Sequence, residues 1–200
     1  DSDVTKQDFL VSKTTHAPIP GQETAISWQT IAQPPITRRA PESVAIVLGY
    51  YNGGRFIADQ MESITAQTHR PIEVFIADDA SPEPVDESHL RDTVANAIPV
   101  HVRHATSNKG FVRNFLEALA AARYHFEYFA FSDQDDVWHH DKLQRAVTVL
   151  RTCPPDKPAL YCARTAITNA DGTRDLGVSP LFTQPPSFAN ALLQNIAGGN

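Results

Sequence analysis

Five aspartates fall in two short clusters. Asp78-Asp79 ends one apolar run, and Asp133-Gln134-Asp135-Asp136 ends another. Alternate residues of an extended segment point the same way, so Asp133 and Asp135 can face one ion. No His or Cys cluster lies beside them. Two oxygen ligands alone suit a hard divalent cation, Mg²⁺ or Mn²⁺, which keeps open positions that substrate phosphates fill. The bland alternative is a polar loop with helix-capping aspartates. A carboxylate of Asp78-Asp79 can accept from a ring N–H or a sugar hydroxyl, or the pair can simply form the turn before Ser81-Pro82. Lys109 and Arg113 flank Gly110 at the start of a predicted helix. Cations at a helix N-terminus make an anion site, unless Arg113 pairs with a surface acid. The turn Tyr51-Asn52-Gly53-Gly54 lets backbone approach a ligand closely, and Tyr51 can stack on a base.

The elements that carry these groups are legible in the hydrophobic pattern. Val44-Ala45-Ile46-Val47-Leu48 is a continuous apolar run, as in a strand buried on both faces. Ile57, Met61 and Ile64 recur with helical spacing. Ile72-Glu73-Val74-Phe75-Ile76-Ala77 is a second strand, and a weaker helix is expected over 87–96. Val100-His101-Val102 is a third strand, and a helix is predicted over 112–124 with Phe115, Leu119 and Ala122 on one face. Tyr128-Phe129-Ala130-Phe131 is a fourth strand. Asp141 caps a helix lined by Leu143, Val147 and Leu150, which Pro154-Pro155 ends. Leu160-Tyr161-Cys162-Ala163 reads as a fifth strand, and Asn169-Ala170-Asp171-Gly172 as a hairpin turn. Strands alternating with helices predict an α/β fold with a mainly parallel sheet. Ligands of such sheets bind beyond the carboxyl ends of the strands, where both aspartate clusters fall.

The 200 residues suit one domain with a sizeable core. Lys plus Arg is 17 and Asp plus Glu is 23, a formal charge of −6, which gives no electrostatic footprint for nucleic acid. No apolar run approaches the roughly 20 residues of a membrane span. Cys153 and Cys162 lack disulfide-framework or metal spacing and read as reduced and structural. His139-His140 reads as exposed turn residues, and Trp138 as packing below the site. Gly-x-Gly-x-x-Gly and Gly-Lys-Ser/Thr fingerprints are absent. Residues 1–42 hold scattered prolines and no sustained period, so an N-terminal extension or linker is expected there, with the domain at 43–200. The start at Asp1 and the unfinished look of Ala197-Gly198-Gly199-Asn200 point to a fragment.

Several stretches together resemble family 2 glycosyltransferases. They are Val44 to Gly53, Ser63-Ile64-Thr65-Ala66-Gln67-Thr68, Ile76-Ala77-Asp78-Asp79-Ala80-Ser81, Asn108-Lys109-Gly110-Phe111-Val112-Arg113-Asn114, and Phe131-Ser132-Asp133-Gln134-Asp135-Asp136-Val137-Trp138. The last is most similar to the rhamnosyltransferase-like branch that builds bacterial surface polysaccharides. The resemblance implies a GT-A fold: a Rossmann-like, mainly parallel sheet flanked by helices, with the acceptor half incomplete. It implies that Asp79 holds a uracil or thymine ring, Tyr51 lies against it, and Asn52, Asp78, Lys109 and Arg113 lie near the nucleotide. It also implies that Asp133 and Asp135 bind Mg²⁺ or Mn²⁺ on the diphosphate, with Asp136 close by. The expected chemistry is inverting transfer from a UDP- or dTDP-sugar to a hydroxyl of a saccharide or lipid-linked saccharide. The general base then lies past the region matching Asn195-Ile196-Ala197-Gly198-Gly199, so none is assigned within these residues. A cytoplasmic location, peripheral at the inner face of the membrane, and further domains of a longer chain go with this. Gly49-Tyr50 departs from the small pair usual before Tyr-Asn, and Pro82-Glu83-Pro84 from the usual turn. The competing readings are a non-catalytic nucleotide-sugar-binding domain and a nucleotidyltransferase, though the latter lacks its glycine-rich, lysine-bearing loop.

Overall fold

The computed structural model describes residues 27–32, 40–122, 125–169 and 174–180. It divides into two compact units. The first, which carries the aspartate clusters, ends at Val147. Its centre is a five-stranded sheet of β1 (Gln29–Ala32), β2 (Val44–Tyr50), β3 (Ile72–Asp78), β4 (Val100–His104) and β5 (Tyr128–Ser132), in the order β1-β4-β3-β2-β5. β2, β3, β4 and β5 run parallel, and β1 closes the β4 edge antiparallel, with a register shift between Thr30 and Ala32. The intervening helices are α1 (Ile57–Thr65), α2 (Glu87–Val94), α3 (Phe111–Ala122) and α4 (Lys142–Leu150).

The two faces of the sheet follow the period-2 alternation of its strands. Val44, Ile46 and Leu48 of β2, Ile72, Val74 and Ile76 of β3, and Val100 and Val102 of β4 point to one face. There they meet Met61 and Ile64 of α1, Leu90 of α2, and Leu143 and Val147 of α4. Ala45, Val47, Phe75 and Ala77 point to the other face, where Ala118 and Ala122 of α3 pack with Phe126. Small residues there let α3 approach the sheet closely. The buried stripe of α3 is Asn114, Ala118 and Ala122. Phe115 and Leu119, expected on that face, sit at its half-buried margin.

Residues 1–42 were expected as an extension or linker, yet their segment Gln29–Ala32 is a strand of the sheet. Ile31 and Ala32 are buried in the main core, and Arg91 Nε donates to the Ile31 carbonyl at 2.8 Å. The signal is weak because a four-residue edge strand is defined by its partner rather than by its own periodicity. The expected pieces around Phe9-Leu10-Val11 lie outside the described residues, as do the end of the predicted helix at Tyr124 and everything beyond 180.

In the second unit the strand expected over Leu160 to Ala163 is not formed. Leu160 makes only an isolated bridge, and 161–165 is irregular. Two short strands follow instead, β6 (Ala166–Thr168) and β7 (Asp175–Val178), paired antiparallel. The hairpin turn expected at Asn169 to Gly172 falls between them in the sequence, and 170–173 lies outside the described residues. Asn169 N donates to the Arg174 carbonyl, and Asn169 Oδ1 accepts from Arg174 N. Cys153 and Cys162 form no disulfide.

Candidate active site

β2 and β3 end level, with Tyr50 opposite Asp78, and β5 beside β2 ends two residues earlier, with Ser132 opposite Leu48. The residues just past those ends are therefore neighbours: Tyr51 from β2, Asp79 from β3 and Asp133 from β5. They border a cleft of about 270 Å³ whose lining includes Tyr51, Asp79, Asn114, Asp133, Gln134 and Asp135. Its floor is Gly49 beneath Phe115, and a Cβ at Gly49 would lie 2.8 Å from the Phe115 ring. Among the described residues, three acids line this cleft and no Lys, Arg or His does.

The two members of Asp78-Asp79 do different work. Adjacent residues of an extended strand point to opposite sides, and Asp78 turns inward. Its carboxylate, 1% exposed, accepts from Ser81 N and Ser81 Oγ at 2.9 and 2.6 Å and bonds His104 Nδ1 at 2.9 Å. Burial lowers the His104 imidazole, but hydrogen bonds to Asp78 and Glu87 outweigh it and leave the group raised. Asp78, expected near a nucleotide, thus organises the Ala80–Val85 turn and does not line the cleft. Ser81 Oγ in turn accepts from Asn52 N at 3.0 Å, and Asn52, at φ 51°, stays outside the lining. Asp79 does face the cleft. Its carboxylate accepts from Lys109 N at 2.9 Å and Gly110 N at 2.8 Å, immediately before α3.

The groups of the expected anion site have partners within the protein. The backbone donors ahead of α3 are held by Asp79, and the cations beside them are engaged elsewhere. Lys109 Nζ and Arg113 Nε both bond Glu117, at 2.9 Å each, and Arg103 Nη1 bonds it at 2.8 Å. Burial pushes the Glu117 carboxyl up, but hydrogen bonds from Lys109, Arg103 and Arg113 hold it down at about 2. Neither Lys109 nor Arg113 lines the cleft. Glu117 was not singled out in the sequence, although its i,i+4 spacing from Arg113 is the readable signal.

The acidic loop is anchored from α1. Buried Gln60 bridges Ser132 Oγ at 2.6 Å and Ser63 Oγ at 3.0 Å. Ser63 Oγ accepts from Trp138 N at 3.0 Å. Gln67, beyond the helix end, donates to the His139 carbonyl at 2.8 Å and accepts from Leu143 N at 3.1 Å. Trp138 is buried in the core below the loop, as expected, and His139 and His140 are exposed. The polar positions of Ser63 to Thr68 therefore read as loop anchors, a role that spacing alone did not reveal.

Burial and the Asp135 carboxylate raise the pKa of Asp133. Burial raises Asp136 too; Lys142 opposes that, while Asp133 and Asp135 add to it. Crowded carboxylates of this kind fit a cation. Among the described residues no group of three or more His, Cys, Asp or Glu is arranged to hold a metal ion. The fit is therefore to two carboxylates, Asp133 and Asp135, and not to an all-protein cage; Asp136 does not line the cleft.

A family model described as Glycosyl transferase family 2 matches residues 45–177, well over half of the chain. The chain belongs to that family. Its α/β architecture is the GT-A arrangement that the resemblance implies. Among similar proteins, an uncharacterized glycosyltransferase of Nostoc is 34% identical over 112 residues, covering 54% of this chain and 33% of that protein. The dTDP-rhamnosyl transferase RfbG of Shigella flexneri is 31% identical over 105 residues, covering 50% and 35%. The solved structure of S. aureus TarS 1–349 in complex with UDP superposes with a TM-score of 0.48 at 20% identity, over 55% of this chain and 32% of that one. The chain thus spans about a third of the length of these curated relatives. Of the residues carried over from the family motifs, this family 2 chain brings Tyr51, Asp79, Asp133 and Asp135 to one cleft. Asn52, Asp78, Lys109, Arg113 and Asp136 lie outside its lining.

Proposed function

We propose that this chain is the donor-binding part of an inverting, metal-dependent glycosyltransferase. Its donor is a UDP- or dTDP-sugar and its acceptor a hydroxyl of a saccharide or lipid-linked saccharide. The observation that carries the reading is the charge of the cleft. Among the described residues three carboxylates line it and no basic side chain does, so a cation is what would offset the charge of an entering diphosphate. Asp133 and Asp135 would hold Mg²⁺ or Mn²⁺, whose contribution is Lewis-acid neutralisation of the leaving diphosphate, worth several kcal/mol.

The chain's own groups supply the rest. Tyr51, about half exposed at the cleft wall, offers a ring face to a pyrimidine. Asp79 keeps lone pairs beyond its two backbone bonds and can accept from the ring N–H. The acceptor hydroxyl attacks the anomeric carbon from the side opposite the nucleotide, inverting it. Its proton goes to a carboxylate or His past the region matching Asn195 to Gly199. The thymidine alternative is supported by the Shigella relative, and a role in bacterial surface polysaccharide synthesis accords with it. Among the described residues no helix is long and apolar enough to cross a membrane. The reading carries a cytoplasmic location, at the inner face of the membrane for a lipid-linked acceptor.

Calorimetry with UDP or dTDP, with and without Mn²⁺, tests this. The wild-type chain is expected to bind either nucleotide far more tightly with Mn²⁺. Asp135→Ala should abolish that dependence and leave the fold intact, because Asp135 is exposed. Unchanged affinity in the variant would sink the cation assignment. Binding by the full-length protein without transfer to any acceptor would favour a non-catalytic binding domain.

A further inference from the structure

The residue between the two aspartates ties their loop to the Tyr51 side of the cleft, at the end of the neighbouring strand β2. Gln134 Oε1 accepts from Tyr51 N at 2.7 Å, and Gln134 Nε2 donates to the Tyr51 carbonyl at 3.0 Å. A backbone N–H only donates and a carbonyl only accepts, so the amide orientation is fixed by its partners. One side chain thereby makes the two-bond exchange that paired antiparallel residues make, across 83 residues of chain.

The turn after Tyr51 is shaped to admit it. A Cβ at Gly53 would lie 2.3 Å from both Cδ and Oε1 of Gln134. Gly53 is not among the residues at positive φ, so what its lack of a side chain supplies is room for Gln134. Two separate observations, the paired hydrogen bonds and the vacated Cβ position, therefore single out the same contact.

Asp133 and Asp135 are covalent neighbours of Gln134. A geometry imposed on both aspartates is imposed on the residue between them, and its amide passes the constraint to the Tyr51 peptide. We propose that Gln134 is a positioning residue that couples the two sides of the cleft. Occupancy of the aspartate side by a divalent cation sets the Tyr51 side for a pyrimidine base, and base binding favours the cation by the same factor. The inference rests on the donor reading above and adds to it a route of communication that does not pass through the diphosphate.

Uridine is the probe that isolates this route. It carries the base and no phosphate, so a cation cannot touch it through a diphosphate. NMR titration of the full chain with uridine, with and without Mn²⁺, is expected to show tighter binding with Mn²⁺, about fivefold or more. Gln134→Ala should reduce that ratio to about one and speed hydrogen exchange at the Tyr51 amide without ligand. Gly53→Ala, which displaces Gln134 without removing it, should do the same, and the double variant should be no worse than either single one. A urea midpoint within error of the wild type separates positioning from loss of fold. Uridine affinity indifferent to Mn²⁺ in the wild type, or equally dependent on it in both variants, overturns the inference. UDP binding with Mn²⁺ in the same wild-type sample leaves the donor reading standing in that case; its absence overturns both.

Discussion

Replacing Asp79 with Asn separates a capping carboxylate from one that only binds ligand. The native group is 3% exposed and takes two backbone N–H donors. Hydrogen bonds to a charged acceptor contribute about 1.5–3 kcal/mol each. An Asn side chain has one acceptor oxygen, and Lys109 N would take it, because Gly110 N retains a bond to Asn108 Oδ1 at 3.1 Å. The loss is then one charge-assisted bond, the weakening of another, and an NH₂ group turned toward the Gly110 N–H. Loss of the negative charge at the start of α3 adds about 0.5 kcal/mol. Relief of repulsion from Asp133 and Asp135 offsets a part of this across an open, solvated cleft. The expected net cost is about 2 kcal/mol, roughly a thirtyfold change in the unfolding constant. Urea unfolding followed by far-UV circular dichroism at pH 7 and without ligand measures it. A variant as stable as the wild type, or more stable, would refute the reasoning. That outcome is the ordinary one for a carboxylate kept only for binding, whose removal relieves a functional strain.

Two more predictions concern groups behind the cleft. Gln67→Ala should cost about 2–4 kcal/mol in urea unfolding, because the His139 carbonyl and the Leu143 N–H lose a buried partner; a cost below about 1 kcal/mol would count against the anchoring of the acidic loop. Glu117 is held at about 2 against an unfolded value of 4.5, so its stabilising effect is complete above 4.5 and is lost as pH falls toward 2. Urea midpoints of Glu117→Gln should therefore lie below those of the wild type above pH 4.5 and converge with them near pH 2; parallel curves would show that the three cations do not hold this carboxylate.

What was legible in the sequence follows from which forces are local. β2 and β3 announce themselves because a strand covered on both faces must be apolar throughout, as Val44 to Leu48 is. Their order in a parallel sheet then puts both aspartate clusters at one edge. The apolar run at Leu160 to Ala163 has the same local signal without the partners, and it forms no strand. Gln29–Ala32 has a weak signal and does form one, because β4 offers an open edge. Within the site, sequence pointed to Asp79, Tyr51 and the Asp-x-Asp, but it also placed Asp78 near the nucleotide. Alternation along a strand end, which sends the two carboxylates to opposite sides, was the available clue. Lys109 and Arg113 illustrate the remaining difficulty. A cation near a glycine turn reads as a phosphate ligand, and the acid that it pairs with in the structure, Glu117, lies one helical turn beyond Arg113. Gln134 carried no signal at all, since its meaning depends on a glycine far away in the chain.

The antiparallel strand β1 bears on how the protein should be cut for study. The family match begins at residue 45, which invites a start at the boundary of β2. Such a truncation would strip the β4 edge of its ladder and uncover the places where Ile31 and Ala32 are buried. A bare, flat row of backbone donors and acceptors is a template for association between molecules. The stretch that looks most dispensable in the sequence is thus part of what keeps one sheet from pairing with the next, and the homology boundary lies inside the folding unit.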